Sequence, residues 1–263
     1  MKYLINIFLI SILFSSMVLS DEKIEIGIDE QLGSYITKDA MFFDEGGNRV
    51  SIGELISGPT VLTLVYYDCP GICNPLLFEL SEVMNKSELE PGYDYNVISI
   101  SIDKFETPEL ASRKKREFLA GFDKDVSNES WKFLTGDIEN IKKVTESAGF
   151  YFKREGNELR HAGALIFIDG DGKICRYLFP SYSEKHGYGI LPFDFKMAIL
   201  ETSQGKEIPT ISRVLRFCFS YDTEGQNYTL NFTRIFGIGI LLLAGIFFLV
   251  IRLKPKKEIV KAR

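Results

Sequence analysis

Apolar residues recur along this chain with two different periods, and the changes between them mark out its elements. Thr60 to Tyr67 (TVLTLVYY) is a near-continuous β-branched and aromatic run, the pattern of a strand buried on both faces. Beyond it Leu76, Leu77, Leu80, Val83 and Met84 recur at helical spacing, and Pro91-Gly92 ends the unit. Tyr95 to Ile102 (YNVISISI) predicts the next strand and Pro108 to Phe122 a basic amphipathic helix. Asp137 to Gly149 predicts a further helix, with Ile138, Ile141, Val144 and Ala148 on one side. Ala164 to Ile168 and Ile174 to Phe179 flank the turn Asp169-Gly170-Asp171-Gly172 as a hairpin, and Phe193 to Thr202 predicts a last helix. Ahead of all these, Phe42-Phe43 and Arg49-Val50-Ser51 enclose a Gly-rich turn, a second small hairpin.

The order β-α-β-α-β-β-α is that of a thioredoxin-like α/β sandwich, here with an amino-terminal hairpin extension. Two apolar stretches do not belong to such a domain. Residues 1–20 carry one charge, Lys2, and an apolar run from Tyr3 to Phe14, then small and polar residues before Asp21. That layout is a signal peptide cleaved after Ser20, or else an uncleaved anchor. Near the other end, Ile235 to Ile251 is an uncharged run of 17 residues between Arg234 and Arg252. As a helix it is about 26 Å long, which spans the hydrocarbon core once Leu230 to Thr233 and the flanking arginines join it. The expected transmembrane helix is therefore 230–252. The tail 253–263 and the adjoining Arg252 bring six cationic residues against the single Glu258. By the positive-inside rule the tail is cytoplasmic, which places the domain 21–229 outside.

Removing both ends changes the charge balance. Residues 21–233 hold 23 basic and 35 acidic residues, a net charge of −12, and this excludes nucleic acid as an expected partner.

Chemistry is concentrated in few residues. Cys69 and Cys73 lie in CPGIC directly behind the first strand, and His161, one of two histidines, opens an apolar run some ninety residues later. Pro70 suits the first position of a helix, so both thiols are expected near a helix amino terminus, where partial positive charge favours thiolate. Residues four apart share a helix face, so both sulfurs would reach one ion. Two thiolates and an imidazole make a soft set that suits Cu(I) and also holds Cu(II) or zinc. In an oxidising compartment the remaining Cys175 and Cys218 form a disulfide if the fold brings them together; four cysteines allow three connectivities. His186, within the polar loop Tyr182 to Tyr188, reads as a surface residue, and Asp103 as a strand-end group that supports the site by hydrogen bonding. Asp68, beside Cys69, either tunes thiol acidity or faces solvent.

The segments VYYDCPGICNPLL, SISIDKFETPE, FLTGD, HAGALIFIDGDGKICRYLF and FCFSYDTEGQNYTL together resemble the Sco/SenC family of copper proteins, in particular a bacterial branch anchored at the carboxy end. The resemblance covers nearly all of residues 30–250. It implies that Cys69, Cys73 and His161 are copper ligands and that the fold is similar to thioredoxin. It also implies a role in assembling the dinuclear copper site of haem-copper oxidase subunit II, as copper donor, as reductant of that site's cysteines, or both. A periplasmic copper donor or thiol reductant would then be a second partner, and the location the bacterial cytoplasmic membrane, with the domain facing the periplasm or exterior. The chain departs from the family pattern at Gly71-Ile72, at Asn74 and at the charged residues before His161, none of them a ligand.

Two other functions use the same fold. A thiol-disulfide oxidoreductase needs Cys69 and Cys73 but not the histidine; the motif here is CxxxC rather than CxxC, and Arg160-His161-Ala162 stands where thioredoxins carry a proline. A peroxidase of the peroxiredoxin kind needs a threonine beside its reactive thiol, and Val65-Tyr66-Tyr67-Asp68 has none. Copper handling is the expectation that uses all three residues.

Overall fold

The computed structural model describes residues 25–69, 71, 73–122, 127, 129–156, 158–183, 187–209, 219–222, 227–230, 240 and 243–247. At its centre is β4 (Thr60–Val65), buried along all six residues as its apolar run demands. It pairs in parallel with β5 (Asn96–Ser101), which pairs in parallel with β6 (Trp131–Leu134). On its other side it pairs antiparallel with β10 (Leu165–Ile168), and β10 with β11 (Ile174–Leu178), so the sheet order is β11-β10-β4-β5-β6. Helix α2 (Cys73–Lys86) joins β4 to β5 and α3 (Pro108–Leu119) joins β5 to β6. Two same-sense crossovers put both helices on one face. Helix α5 (Pro192–Ser203) joins them, packing on β10 and β11 and touching α2. These are the elements of the expected thioredoxin-like sandwich. Strand β6 was not among the expected elements; four residues between polar neighbours give too short a period to read.

Polar groups inside the sheet are paired, which is the condition for burying them. Trp131 Nε1 donates to Ser99 Oγ at 2.9 Å, and Ser99 Oγ lies 2.8 Å from Thr63 Oγ1. The Tyr67 hydroxyl lies 2.8 and 2.9 Å from the carbonyls of Ser99 and Leu134, so it spans β5 and β6 just beyond the end of β4.

The amino-terminal part runs from the start of β11, where the Ile36 N–H meets the Gly172 carbonyl, to the end of β6. Strands β2 (Met41–Phe43) and β3 (Arg49–Ser51) form the expected hairpin, followed by the short helix α1 (Ile52–Leu55). Phe43 exchanges both backbone hydrogen bonds with Thr135, which covers the exposed edge beyond β6. The hairpin turn is fastened there too: Glu45 pairs with the buried Lys115 and accepts the Phe133 N–H at 3.0 Å. Helix α4 (Ile138–Ser147) is capped by Asp137, which accepts the Asn140 N–H at 2.9 Å, while Asn140 Oδ1 accepts the Met41 N–H. Past α4, Gly149 adopts φ +60° with the Asp29 carbonyl oxygen 1.8 Å from where a Cβ would stand, a place only glycine can occupy. This close approach pairs β1 (Gly27–Ile28) with β7 (Phe150–Tyr151). The remaining described strands are hairpins: β8 (Lys153–Glu155) with β9 (Glu158–Arg160), β12 (Ser181–Ser183) with β13 (Gly187–Gly189), and β14 (Phe219–Asp222) with β15 (Asn227–Leu230).

The proposed signal 1–20, the tail 253–263, His186 and Cys218 lie outside the described residues. So does most of 230–252; within it Leu230 ends β15 rather than starting a helix, while 240 and 243–247 are helical. Among the described residues no helix is long and apolar enough to cross a membrane.

The Asp137 cap makes a testable contribution. The Asn140 N–H, then its side-chain amide, hold the Asp137 carboxyl below its ordinary value of 3.8. The fold therefore favours the ionised form: the contribution is complete above the unfolded-chain value and is lost as pH falls through the lower folded-state value. Asp137→Ala is expected to lower the stability measured by urea unfolding at pH 7 by about 1 kcal/mol, with a smaller difference at pH 3.

Candidate metal centre

Strand β4 ends at Val65, and Tyr66, Tyr67 and Asp68 carry the chain out of the sheet to Cys69. Their environment is unusual for a loop, because Tyr66, Tyr67 and Cys69 are all buried. Two backbone N–H groups left without a strand partner are taken by one side chain: Glu106 accepts from Tyr67 N at 2.8 Å and from Asp68 N at 2.7 Å. Ser101 Oγ donates to the same carboxylate at 2.6 Å. Burial pushes the Glu106 carboxyl up, the charge of Asp103 adds to this, and the three hydrogen bonds offset part of it. Asp68 itself is exposed.

Around Cys69 the backbone is turned inward. The Gly71 N–H points at Cys69 Sγ at 3.2 Å, a contact that favours the charged form of a sulfur. Asn74 Nδ2 donates to the Cys69 carbonyl at 3.2 Å, tying the start of the motif to the first turn of α2. The described helix runs from Cys73, and Gly71 ahead of it is not helical, while Pro70 and Ile72 lie outside the described residues. The expectation that both cysteines share one helix face is thereby corrected: Cys73 holds the helix amino terminus, and Cys69 stands four residues ahead in the loop.

His161 follows β9 and is buried. Its Nδ1 lies 2.8 Å from the Ala162 carbonyl. A carbonyl only accepts, so Nδ1 donates, the contact by which a metal-ligating histidine is oriented through its other nitrogen. The ring packs edge-on against Tyr66, with centroids 5.7 Å apart, and lies tilted against Phe150 at 6.0 Å. Tyr66 is three residues before Cys69, so the imidazole packs on the segment that delivers the thiol. Among the described residues no group of three His, Cys, Asp or Glu side chains stands ready around one point; Cys73 is described by its backbone alone.

Asp103, expected to support the site, supports it one step removed. Its Oδ1 accepts the Phe105 N–H at 3.1 Å and pairs with Arg154 at 2.7 Å, which pins the turn that carries Glu106. Glu106, Tyr66 and Asn74 escaped sequence reasoning. Glu106 meets Tyr67 and Asp68 from 39 and 38 residues away, a separation with no local signature.

The SCO1/SenC family model matches residues 29–189. A candidate electron transfer protein from Aquifex aeolicus VF5 is 24% identical with a TM-score of 0.57, the match covering 67% of this chain and 96% of that one. BsSco, a member of the Sco family of cytochrome c oxidase assembly proteins in which a disulfide switch was identified, is 20% identical with a TM-score of 0.50, covering 68% and 99%. ScoI of Bradyrhizobium japonicum with copper bound is 25% identical with a TM-score of 0.45, covering 65% and 99%. The first two show that the fold is shared. Among curated proteins none matches the chain.

Cys175 stands apart from this site. It is a fully buried thiol in β11 that donates to the Lys173 carbonyl at 3.5 Å, and burial, then Asp169, pushes its pKa up to about 11. At pH 8 roughly one molecule in a thousand is thiolate there. Iodoacetamide at pH 8 is expected to leave Cys175 unlabelled in the native protein and to label it in denaturant; peptide mass spectrometry reads the difference.

Proposed function

The chain belongs to the SCO1/SenC family, and from that membership we propose that it is a copper-binding protein of cytochrome c oxidase assembly, with Cys69, Cys73 and His161 as its ligands. The observation that carries this reading is the place of His161. A buried imidazole, oriented by its Nδ1 contact with a carbonyl and packed on Tyr66 three residues before Cys69, is suited to join a thiolate around a soft cation. A dithiol oxidoreductase has no use for it.

In its full form the proposal is tethered delivery. Residues 230–252 anchor the chain in the bacterial cytoplasmic membrane, the domain faces the periplasm or exterior, and copper passes by ligand exchange to the dinuclear site of oxidase subunit II. Confinement to one surface raises the effective concentration of donor and acceptor without strong binding between them. Cys69 and Cys73 also supply a release step. Two electrons from the pair reduce a disulfide of the acceptor to two thiols, protons exchange with solvent, and an S–S bond forms between Cys69 and Cys73. Metal affinity falls with the loss of both thiolates.

The second reading, a thiol-disulfide oxidoreductase without copper transfer, draws on the Gly71 N–H aimed at Cys69 Sγ, which serves a nucleophile as well as a ligand. Competition of the purified, fully reduced chain against a chromogenic Cu(I) chelator separates the two. The expected result is one copper per chain, lost on oxidation. His161→Ala should weaken binding at least as much as the roughly tenfold cost of losing an outer-shell partner, with the disulfide still able to form. Unchanged copper affinity in His161→Ala contradicts the three-ligand site. No copper in either state, with a readily cycled pair, leaves the oxidoreductase.

A further inference from the structure

Cys69 occupies a loop with little secondary structure of its own, yet it is 95% removed from solvent. Its position is fixed from both sides. Downstream, the Asn74 side chain holds its carbonyl. Upstream, both oxygens of Glu106 are spent on the N–H groups of the two residues that lead into it, Tyr67 and Asp68. These two donors lie past the last bond between β4 and β5, where the Ile102 N–H meets the Val65 carbonyl, so without Glu106 they have no strand to pair with.

The carboxylate is itself held in place. Ser101 Oγ donates to it, and the Asp103 N–H donates to Ser101 Oγ at 3.0 Å. The Glu106 N–H closes a turn onto the Asp103 carbonyl. Asp103 is anchored to Arg154 in β8, on the hairpin whose second strand runs into His161. Thr107, the next residue, caps α3, so Glu106 is also fixed from its carboxyl side. One turn, residues 101–107, therefore connects the exit of β4 with the hairpin that precedes the histidine.

We infer that Glu106 is a positioning residue for the metal centre: its carboxylate sets the backbone path of Tyr67-Asp68 and so the place of Cys69 relative to His161. The inference rests on the reading of those two residues as ligands. Isosteric replacement by an amide removes the charge and turns one acceptor into a donor facing an N–H. One of the two backbone donors is then left without its acceptor at the mouth of the site, and the segment carrying Tyr66 and Cys69 loosens.

The test compares three variants of the full chain. In Glu106→Gln, the reduced chain's affinity for Cu(I) is expected to fall about tenfold, the effect of losing one charge-assisted hydrogen bond. Iodoacetamide labelling of Cys69 in the metal-free reduced chain should accelerate by a similar factor, read by peptide mass spectrometry. Ser101→Ala, which removes only the bond to the carboxylate, should move both in the same direction by less. It serves as the measurement if Glu106→Gln does not fold. Asp137→Ala, destabilising at a distant helix cap, should move neither, which separates positioning from general loss of stability. Equal labelling and equal copper affinity in Glu106→Gln and Asp137→Ala overturn the inference. If the unaltered chain holds no copper, the copper reading falls, while the labelling contrast still decides whether Glu106 positions Cys69.

Discussion

A buried strand has to stop hydrogen bonding somewhere, and at the end of β4 the chain stops where its thiol begins. All six residues of β4 are buried, flanked by β5 and β10. Beyond Val65 the backbone must leave the sheet without abandoning its polar groups, since an unpaired buried N–H costs about as much as a lost hydrogen bond. The Glu106 carboxylate takes two of those groups and the Tyr67 hydroxyl reaches across to β5 and β6. Everything proposed for the site depends on this exit being rigid, because Cys69 is placed by its backbone rather than by a regular element.

The second constraint is that the site draws on distant parts of the chain. Cys69 comes from the end of β4, Cys73 from the start of α2 and His161 from the segment after β9. The Tyr66 ring against His161, the Asp103–Arg154 ion pair and the Asn74 amide on the Cys69 carbonyl connect these parts. Aromatic packing supplies area without directional demands, while the ion pair and the carboxylate clamp supply direction. A site assembled in this way responds to changes that touch neither sulfur nor imidazole.

Much of the fold was legible because it rests on periodicity. TVLTLVYY announced a strand buried on both faces, and the apolar spacing after Cys73 announced α2. Strand β6 was not, because WKFL is too short to show a period; Trp131 is buried by a hydrogen bond to Ser99 and by neighbouring rings, which the local sequence does not encode. In the candidate site, the spacing of Cys69 and Cys73 and the lone histidine of an apolar run were legible as residue types. Their local geometry was not. Pro70 suggested a helix start close to Cys69, while the partner that fixes the backbone leading into Cys69 sits on a turn more than thirty residues away. Glu106 reads in sequence as one more charged residue before a helix and gains its meaning only from the sheet that brings it to Tyr67.

X-ray absorption at the copper edge of the Cu(I)-loaded, fully reduced chain tests the central claim most directly, because it counts donor atoms without reference to affinity. The account predicts a first shell of two sulfurs and one nitrogen, with the outer-shell scattering of an imidazole that disappears in His161→Ala. A shell of sulfur alone, unchanged by that substitution, would contradict it and return His161 to the core as a structural residue.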